Sequence, residues 1–259
     1  MLAQQSFLRD IPVKDMLELP QINEGFARLK YAIAAKGLGV ITGTPGMGKS
    51  TLIRLLESNL DKSKFLFCYI NDADLKPKNL YSHLLCSLSV QPAAYIDKMK
   101  KQFKEAVINL HQSHGRVLVI VIDNSQELPM QTLREFRYLL SFDIDSRSLL
   151  TLLLIGHPEL WDTIKLRSLE SLRQCVATHY RVNPLNEEQT KEYIIHQLNL
   201  SNVSMCFPDD VVKKIHQFTS GTPRVINSIC RHCLIDMESK ELSIMNNDAL
   251  ERVLNEFRN

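Results

Sequence analysis

The sequence predicts an α/β fold: a parallel sheet covered by helices on both faces (an αβα sandwich), followed by a small all-helical lid domain. Three observations predict it. First, a complete Gly-x4-Gly-Lys-Ser loop joins a short apolar run to an amphipathic helix. Second, near-continuous apolar runs alternate with segments of helical periodicity, the pattern of strands buried by crossover helices. Third, from Asn186 onward the periodicity is helical only.

The elements follow in order. Residues 38–42 read as a buried strand that feeds the loop Gly43, Thr44, Pro45, Gly46, Met47, Gly48, Lys49 and Ser50. Behind it Leu52, Ile53, Leu55, Leu56 and Leu60 fall on one side of a helix. Gly43, Gly46 and Gly48 let backbone N–H groups wrap around phosphate oxygens at the positive end of that helix. Lys49 neutralises the β- and γ-phosphates, the Ser50 hydroxyl can ligate Mg²⁺, and Thr51 extends the nucleotide-contacting stretch. This is a P-loop, the phosphate-binding signature of nucleoside triphosphatases. Further along come a strand at 65–70, helices at 80–88 and 96–111, and strands at 117–122, 149–155 and 178–182. Helices at 187–198, 209–218, 223–237 and 248–257 complete the chain. Asn186 to Gln189 reads as a capping box, and Thr222-Pro223 as a cap followed by an N1 proline. The expected division is an N-terminal extension over 1–36 packed on the core, a nucleotide-binding domain over 37–184 and a helical lid over 185–259.

Composition sets limits. The 259 residues, 44% of them hydrophobic, suffice for a sizeable core, and 31 basic against 29 acidic residues leave a net charge of +2. With no global positive charge, any DNA-binding surface has to be a local patch. The six cysteines lack the spacing of a disulfide framework, no leader opens the chain, and no apolar stretch reaches the roughly 18 residues of a membrane span. The expected setting is therefore the reduced cytoplasm, away from membranes.

The run 117–122 ends in Asp123, placed to hold the Mg²⁺ shell opposite Lys49. Asn124 follows, where ATPases of this class usually carry a Glu that polarises the attacking water. An amide orients water but cannot accept its proton, so slow hydrolysis is expected; losing a general base costs about 10²- to 10⁴-fold. Glu127 lies close enough in sequence to serve instead.

Four segments then resemble one family: Lys36-Gly37-Leu38-Gly39-Val40-Ile41-Thr42; Ile122-Asp123-Asn124-Ser125-Gln126-Glu127-Leu128; Leu154-Ile155-Gly156-His157-Pro158-Glu159-Leu160; and Ser220-Gly221-Thr222-Pro223-Arg224-Val225-Ile226-Asn227. In this order and spacing they resemble the ExeA/TniB-type branch of AAA+ ATPases, from about residue 20 onward. That branch contains secretion-associated ATPases and small ATPases, similar to TnsC, that accompany DDE-type transposases. The chain ends after its helical lid with no membrane helix or peptidoglycan-binding part, which favours the transposition type.

The resemblance implies further roles. His157 takes the place of a polar sensor of the γ-phosphate, commonly Gln in the family; the alternative is a turn histidine. Arg224 matches the second sensor, an arginine that reaches the nucleotide from the lid. Where the family usually has Arg, Cys175 stands, so Arg173 or else Arg167 is left as the arginine finger offered to a neighbouring subunit. Lys76 and Lys78 occupy a place that faces DNA in TnsC-like proteins, and Lys98, Lys100, Lys101 and Lys104 add a cluster that reads equally as a solvated helix face. Cys230 and Cys233 lie inside an amphipathic helix without a second pair, so no metal is expected there. Trp161 reads as core, and His111, His114 and His179 show no catalytic pattern. The expected protein is an ATP- and Mg²⁺-dependent ATPase that forms a ring or helical homo-oligomer on duplex DNA through non-specific backbone contacts and recruits a DDE-type transposase. The alternatives are a secretion-system assembly ATPase and a nucleotide-binding scaffold that turns over slowly or not at all.

Overall fold

Five strands pair in parallel in the order β2–β3–β4–β1–β5 in a computed structural model that describes residues 6–8, 11–72, 74–142, 148–204 and 206–258. They are β1 (Leu38–Thr42), β2 (Phe65–Ile70), β3 (Val117–Ile122), β4 (Leu150–Gly156) and β5 (Val176–Arg181). The three central strands β1, β3 and β4 bury every residue but Val117, because crossover helices cover both faces of a parallel sheet. Edge strands β2 and β5 are only half-buried, which is why Tyr69, His179, Tyr180 and Arg181 are tolerated there. The register sets Thr42 opposite Gly156, and Ile122 between Ile70 and Leu154. The carboxyl ends of β2, β3, β4 and β1 thus line one edge of the sheet.

The chain divides into two compact units, one of residues 21–44 and 49–182, the other of residues 1–20, 45–48 and 183–259. In the sheet unit the helices are α1 (Pro20–Ala34, from its second residue), α2 (Lys49–Asn59), α3 (Pro77–Ser87), α4 (Ile96–His114), α5 (Met130–Leu140), α6 (Pro158–Ile164) and α7 (Glu170–Arg173). Helix α4 buries Met99, Phe103 and Val107 on one stripe and stops at Gly115 in the left-handed conformation. Helices α1, α5, α6 and α7 are additions to the expected elements. Helix α5 buries Leu133, Phe136, Leu139 and Leu140 at helical spacing, each such side chain contributing about 1.5–3 kcal/mol.

The expected extension over 1–36 is not one piece. Residues 21–36 belong to the sheet unit, where the Tyr180 hydroxyl donates to the Gln21 carbonyl at 2.9 Å. The described part of 1–20 belongs to the helical unit: Phe7 is fully buried, its carbonyl accepts from Arg231 Nη2 at 2.6 Å, and the Asp15 carbonyl is bonded to His196 Nε2 at 2.7 Å. Residues 1–5, 9 and 10 of that segment lie outside the described residues.

The helical unit contains α8 (Glu187–Leu200), α9 (Asp209–Thr219), α10 (Pro223–Ser239) and α11 (Asn247–Arg258) around Phe207, Ile215, Ile226, Ile229, Leu234 and Leu250. Asn186 and Gln189 make both bonds of the capping box. At α10 the proline takes the N1 position, but the Thr222 side chain makes no cap bond. The Arg224 N–H that such a cap could serve donates instead to the Gly46 carbonyl at 3.3 Å.

Candidate nucleotide-binding site

The loop between β1 and α2 has the backbone its glycines allow. Gly46 and Gly48 take φ values of 86° and 91°, a region closed to ordinary side chains. Lys49 opens α2 and is buried; its ammonium donates to the Gly43 carbonyl at 2.7 Å and the Thr44 carbonyl at 3.0 Å. A buried ammonium needs such partners, and here they hold it inside the curve of the loop. The Gly43 N–H donates to the Gly156 carbonyl at 3.2 Å, fastening the loop entrance to the end of β4. The first turn of α2 presents the N–H groups that a helix leaves unpaired, at its positive end.

Asp123 follows β3 and is buried. Its Oδ1 accepts from the Asn124 N–H at 2.8 Å and its Oδ2 from the Tyr69 hydroxyl at 3.0 Å. A carboxylate has about four acceptor sites, so capacity remains on both oxygens. Burial, then the Asp123 charge, pushes the Tyr69 phenol up to about 12, so it keeps the proton it donates. Asn124 adopts the left-handed conformation, φ 51°, and its amide nitrogen donates to Asn71 Oδ1 at 2.9 Å. Glu127 is exposed, with Gln126 Nε2 3.4 Å from its Oε1.

No sequence pattern marks Gln126. Its Oε1 accepts from the His157 N–H at 2.9 Å, and a Cβ on Gly156 would stand 2.7 Å from that oxygen. Glycine at 156 makes room for a tie between the ends of β3 and β4. His179 also gains partners: Nε2 lies 3.0 Å from Thr42 Oγ1, and the ring stacks on Trp161 at 4.0 Å with an interplanar angle of 10°. Burial, followed by the charges of Lys165 and Arg181, holds the imidazole below its usual value.

The residues fit a magnesium nucleotide. Lys49 and the α2 amino end are suited to phosphate oxygens, and Ser50, exposed beside them, together with Asp123 supplies the oxygen donors that Mg²⁺ prefers. Comparison with known proteins agrees: the family model described as an AAA domain matches residues 33–164, about half of the chain. The chain belongs to the AAA domain family. Membership implies a nucleotide-binding, ATP-hydrolysing fold. General secretion pathway protein A of Aeromonas hydrophila is 28% identical over 218 residues, 82% of this chain but 39% of that protein. The chain therefore spans well under half the length of that relative. Among solved structures, Cdc6p of Pyrobaculum aerophilum has a TM-score of 0.72 at 16% identity, covering 96% of this chain and 70% of that one. Drosophila ORC bound to DNA has a TM-score of 0.73 at 16% identity, covering 100% of this chain and 65% of that one. At such identity both show the fold.

The other predicted residues of this AAA chain are dispersed. Arg224 is exposed at the start of α10, its backbone on the Gly46 carbonyl. Arg173 and Arg167 are exposed, Arg173 lying 3.9 Å from Glu170. Lys78, Lys98, Lys101 and Lys104 are exposed; Lys76 pairs with Asp74 at 3.5 Å and Lys101 with Glu105 at 3.9 Å. Exposed pairs of this kind are worth little and can be exchanged for phosphate. Lys100 departs from expectation, because its ammonium is drawn to Glu135 Oε1 at 2.8 Å while the Tyr81 hydroxyl donates to Glu135 Oε2 at 3.2 Å. Cys230 and Cys233 are buried with thiols pushed up, Cys233 to about 12 by burial and then by Asp236, so they stay protonated. Among the described residues no group of three or more His, Cys, Asp or Glu could hold a metal, and no helix is long and apolar enough to cross a membrane.

Proposed function

We propose that this chain is an ATP-controlled switch that assembles as a homo-oligomer on duplex DNA and recruits or regulates a DDE-type transposase. The observation that carries the switch is the bond from the Arg224 N–H to the Gly46 carbonyl. It joins the tip of the phosphate loop to the first turn of α10, so a rearrangement of one is felt by the other. Lys49 and the loop N–H groups hold the phosphates, Ser50 and Asp123 hold Mg²⁺, and Arg224 supplies the second sensor. Mg²⁺, when bound, neutralises charge developing on the phosphoryl oxygens. Asn124 orients water through its amide oxygen, His157 senses the γ-phosphate, and Arg173 acts on a neighbouring subunit's nucleotide.

Support for DNA comes from the exposed Lys76 and Lys78 at the start of α3, with Lys98 and Lys101 on α4. The fold neighbour described as bound to DNA supports the same reading. Contacts of this type neutralise phosphates without reading sequence. A second reading, a secretion-associated ATPase, is favoured by the relative named a general secretion pathway protein. It differs in requiring a membrane-protein partner and no DNA.

Mobility shifts on unrelated duplexes separate the two. The transposition reading expects binding at low salt with a non-hydrolysable ATP analogue, little without it, and a salt slope reduced by about 1 in Lys78→Ala. No shift at low salt with the analogue present, or an intact slope in Lys78→Ala, counts against it.

A further inference from the structure

The parallel register of β2 and β3 sets Tyr69 opposite Val121. Side chains alternate along a strand, so Tyr69, Val121 and Asp123 share a face of the sheet, with Tyr69 and Asp123 on a diagonal that a long aromatic side chain spans. Tyr69 is the exposed exception between buried Cys68 and Ile70, at 46% relative exposure. An exposed tyrosine on an edge strand has water available, yet its hydroxyl is committed to a buried carboxylate at 3.0 Å.

That carboxylate is held at both ends. The Asn124 N–H occupies one position on Oδ1 and the Tyr69 hydroxyl one on Oδ2. Two donors on different oxygens fix the rotation of the carboxyl plane, which a single donor leaves free. The Asn124 N–H belongs to the backbone and stays whatever the side chains are. Tyr69 therefore supplies the constraint that sequence can vary.

We propose that Tyr69 is a positioning residue for the magnesium site: its hydroxyl sets the orientation of the Asp123 carboxylate, and with it the affinity for Mg²⁺ alongside the nucleotide. The claim rests on the reading of Asp123 as the metal-binding carboxylate. Partners of this kind are worth about 10-fold or more in metal affinity. Phenylalanine keeps the aromatic ring and removes only the hydroxyl that reaches Asp123.

The test measures equilibrium binding of a fluorescent ATP analogue across a Mg²⁺ titration, for wild type, Tyr69→Phe and Asp123→Asn, with thermal unfolding of each. The expected result for Tyr69→Phe is a Mg²⁺ midpoint raised about 10-fold, with unchanged analogue binding in the absence of Mg²⁺ and an unfolding temperature close to wild type. A purely structural hydroxyl would lower the unfolding temperature and leave the Mg²⁺ midpoint in place, and that overturns the proposal. So does an equal loss of binding with and without Mg²⁺. If Asp123→Asn raises the midpoint and Tyr69→Phe does not, the positioning role alone fails. If neither variant moves it, the assignment of Asp123 as metal ligand fails, and the role of Tyr69 with it.

Discussion

The Arg224 N–H donates to the Gly46 carbonyl at 3.3 Å, and a Cβ placed on Gly46 would stand 2.6 Å from Arg224 Cβ and 3.2 Å from Thr222 Cγ2. Glycine at 46 thus serves two ends at once, a left-handed turn in the phosphate loop and close approach to the start of α10. Gly46→Ala should cost about 1–3 kcal/mol from its φ alone, with the overlap adding to it. The variant should unfold at lower temperature and bind ATP weakly; calorimetry and nucleotide titration read the two effects separately. An unchanged unfolding temperature would mean that the loop tip and α10 do not depend on this approach.

The imidazole of His179 is held below its usual value of about 6.5, so in mildly acid solution the unfolded chain takes up a proton there before the folded chain does. Stability from this group is fully present above the unfolded value and is lost as pH falls through the lowered folded value. The unfolding temperature should therefore drop as pH falls from neutral to below about 6.5. In His179→Gln that drop should be smaller, since glutamine keeps a polar contact for Thr42 without titrating. Unfolding scans across that range check the difference, and equal slopes would contradict it.

Gln126 spans from the end of β3 to the His157 N–H at the end of β4. Gln126→Ala should remove about 0.5–1.5 kcal/mol of stability and lower ATP turnover several-fold while changing ATP affinity little. Its bond positions the sensor segment and leaves the phosphate loop untouched. Steady-state kinetics with direct nucleotide binding would show this as a change in kcat without a matching change in Kd. A fall in affinity equal to the fall in kcat would rule it out.

Asn124 poses a sharper question. Its amide nitrogen is committed to Asn71, leaving the amide oxygen to orient water but no group at this position to accept a proton. Asn124→Glu should raise the single-turnover rate about 10-fold or more, with Asn71 turning its own amide to donate. If Glu127 already serves as base, Glu127→Gln would collapse activity and Asn124→Glu would change little. Brisk wild-type turnover indifferent to both substitutions excludes both accounts.

Much of the sheet was legible because central parallel strands are written as bare apolar runs, and the loop because its glycines and lysine follow a fixed spacing. Strand β5 is harder, since an edge strand mixes His179, Tyr180 and Arg181 with small residues, and the pattern predicts its start two residues late. Helix α1 carries Gly25 on the stripe formed by Ile22, Leu29, Ala32 and Ile33, which interrupts the periodic signal. Helix α5 starts after Pro129 with no side-chain cap, so nothing marks its beginning. The ties that shape the candidate site, Tyr69 to Asp123 and Gln126 to His157, join residues 54 and 31 positions apart. They follow from strand register and loop approach, which no local pattern encodes.

The central claim is that Gly43 to Ser50 and Asp123 together bind a magnesium nucleotide. It is tested most directly by equilibrium ATP binding, with and without Mg²⁺, in wild type, Lys49→Ala and Asp123→Ala. The account predicts that Lys49→Ala abolishes binding in both conditions, whereas Asp123→Ala retains metal-free binding and loses the gain that Mg²⁺ confers. Undiminished Mg-ATP affinity in Lys49→Ala would contradict it.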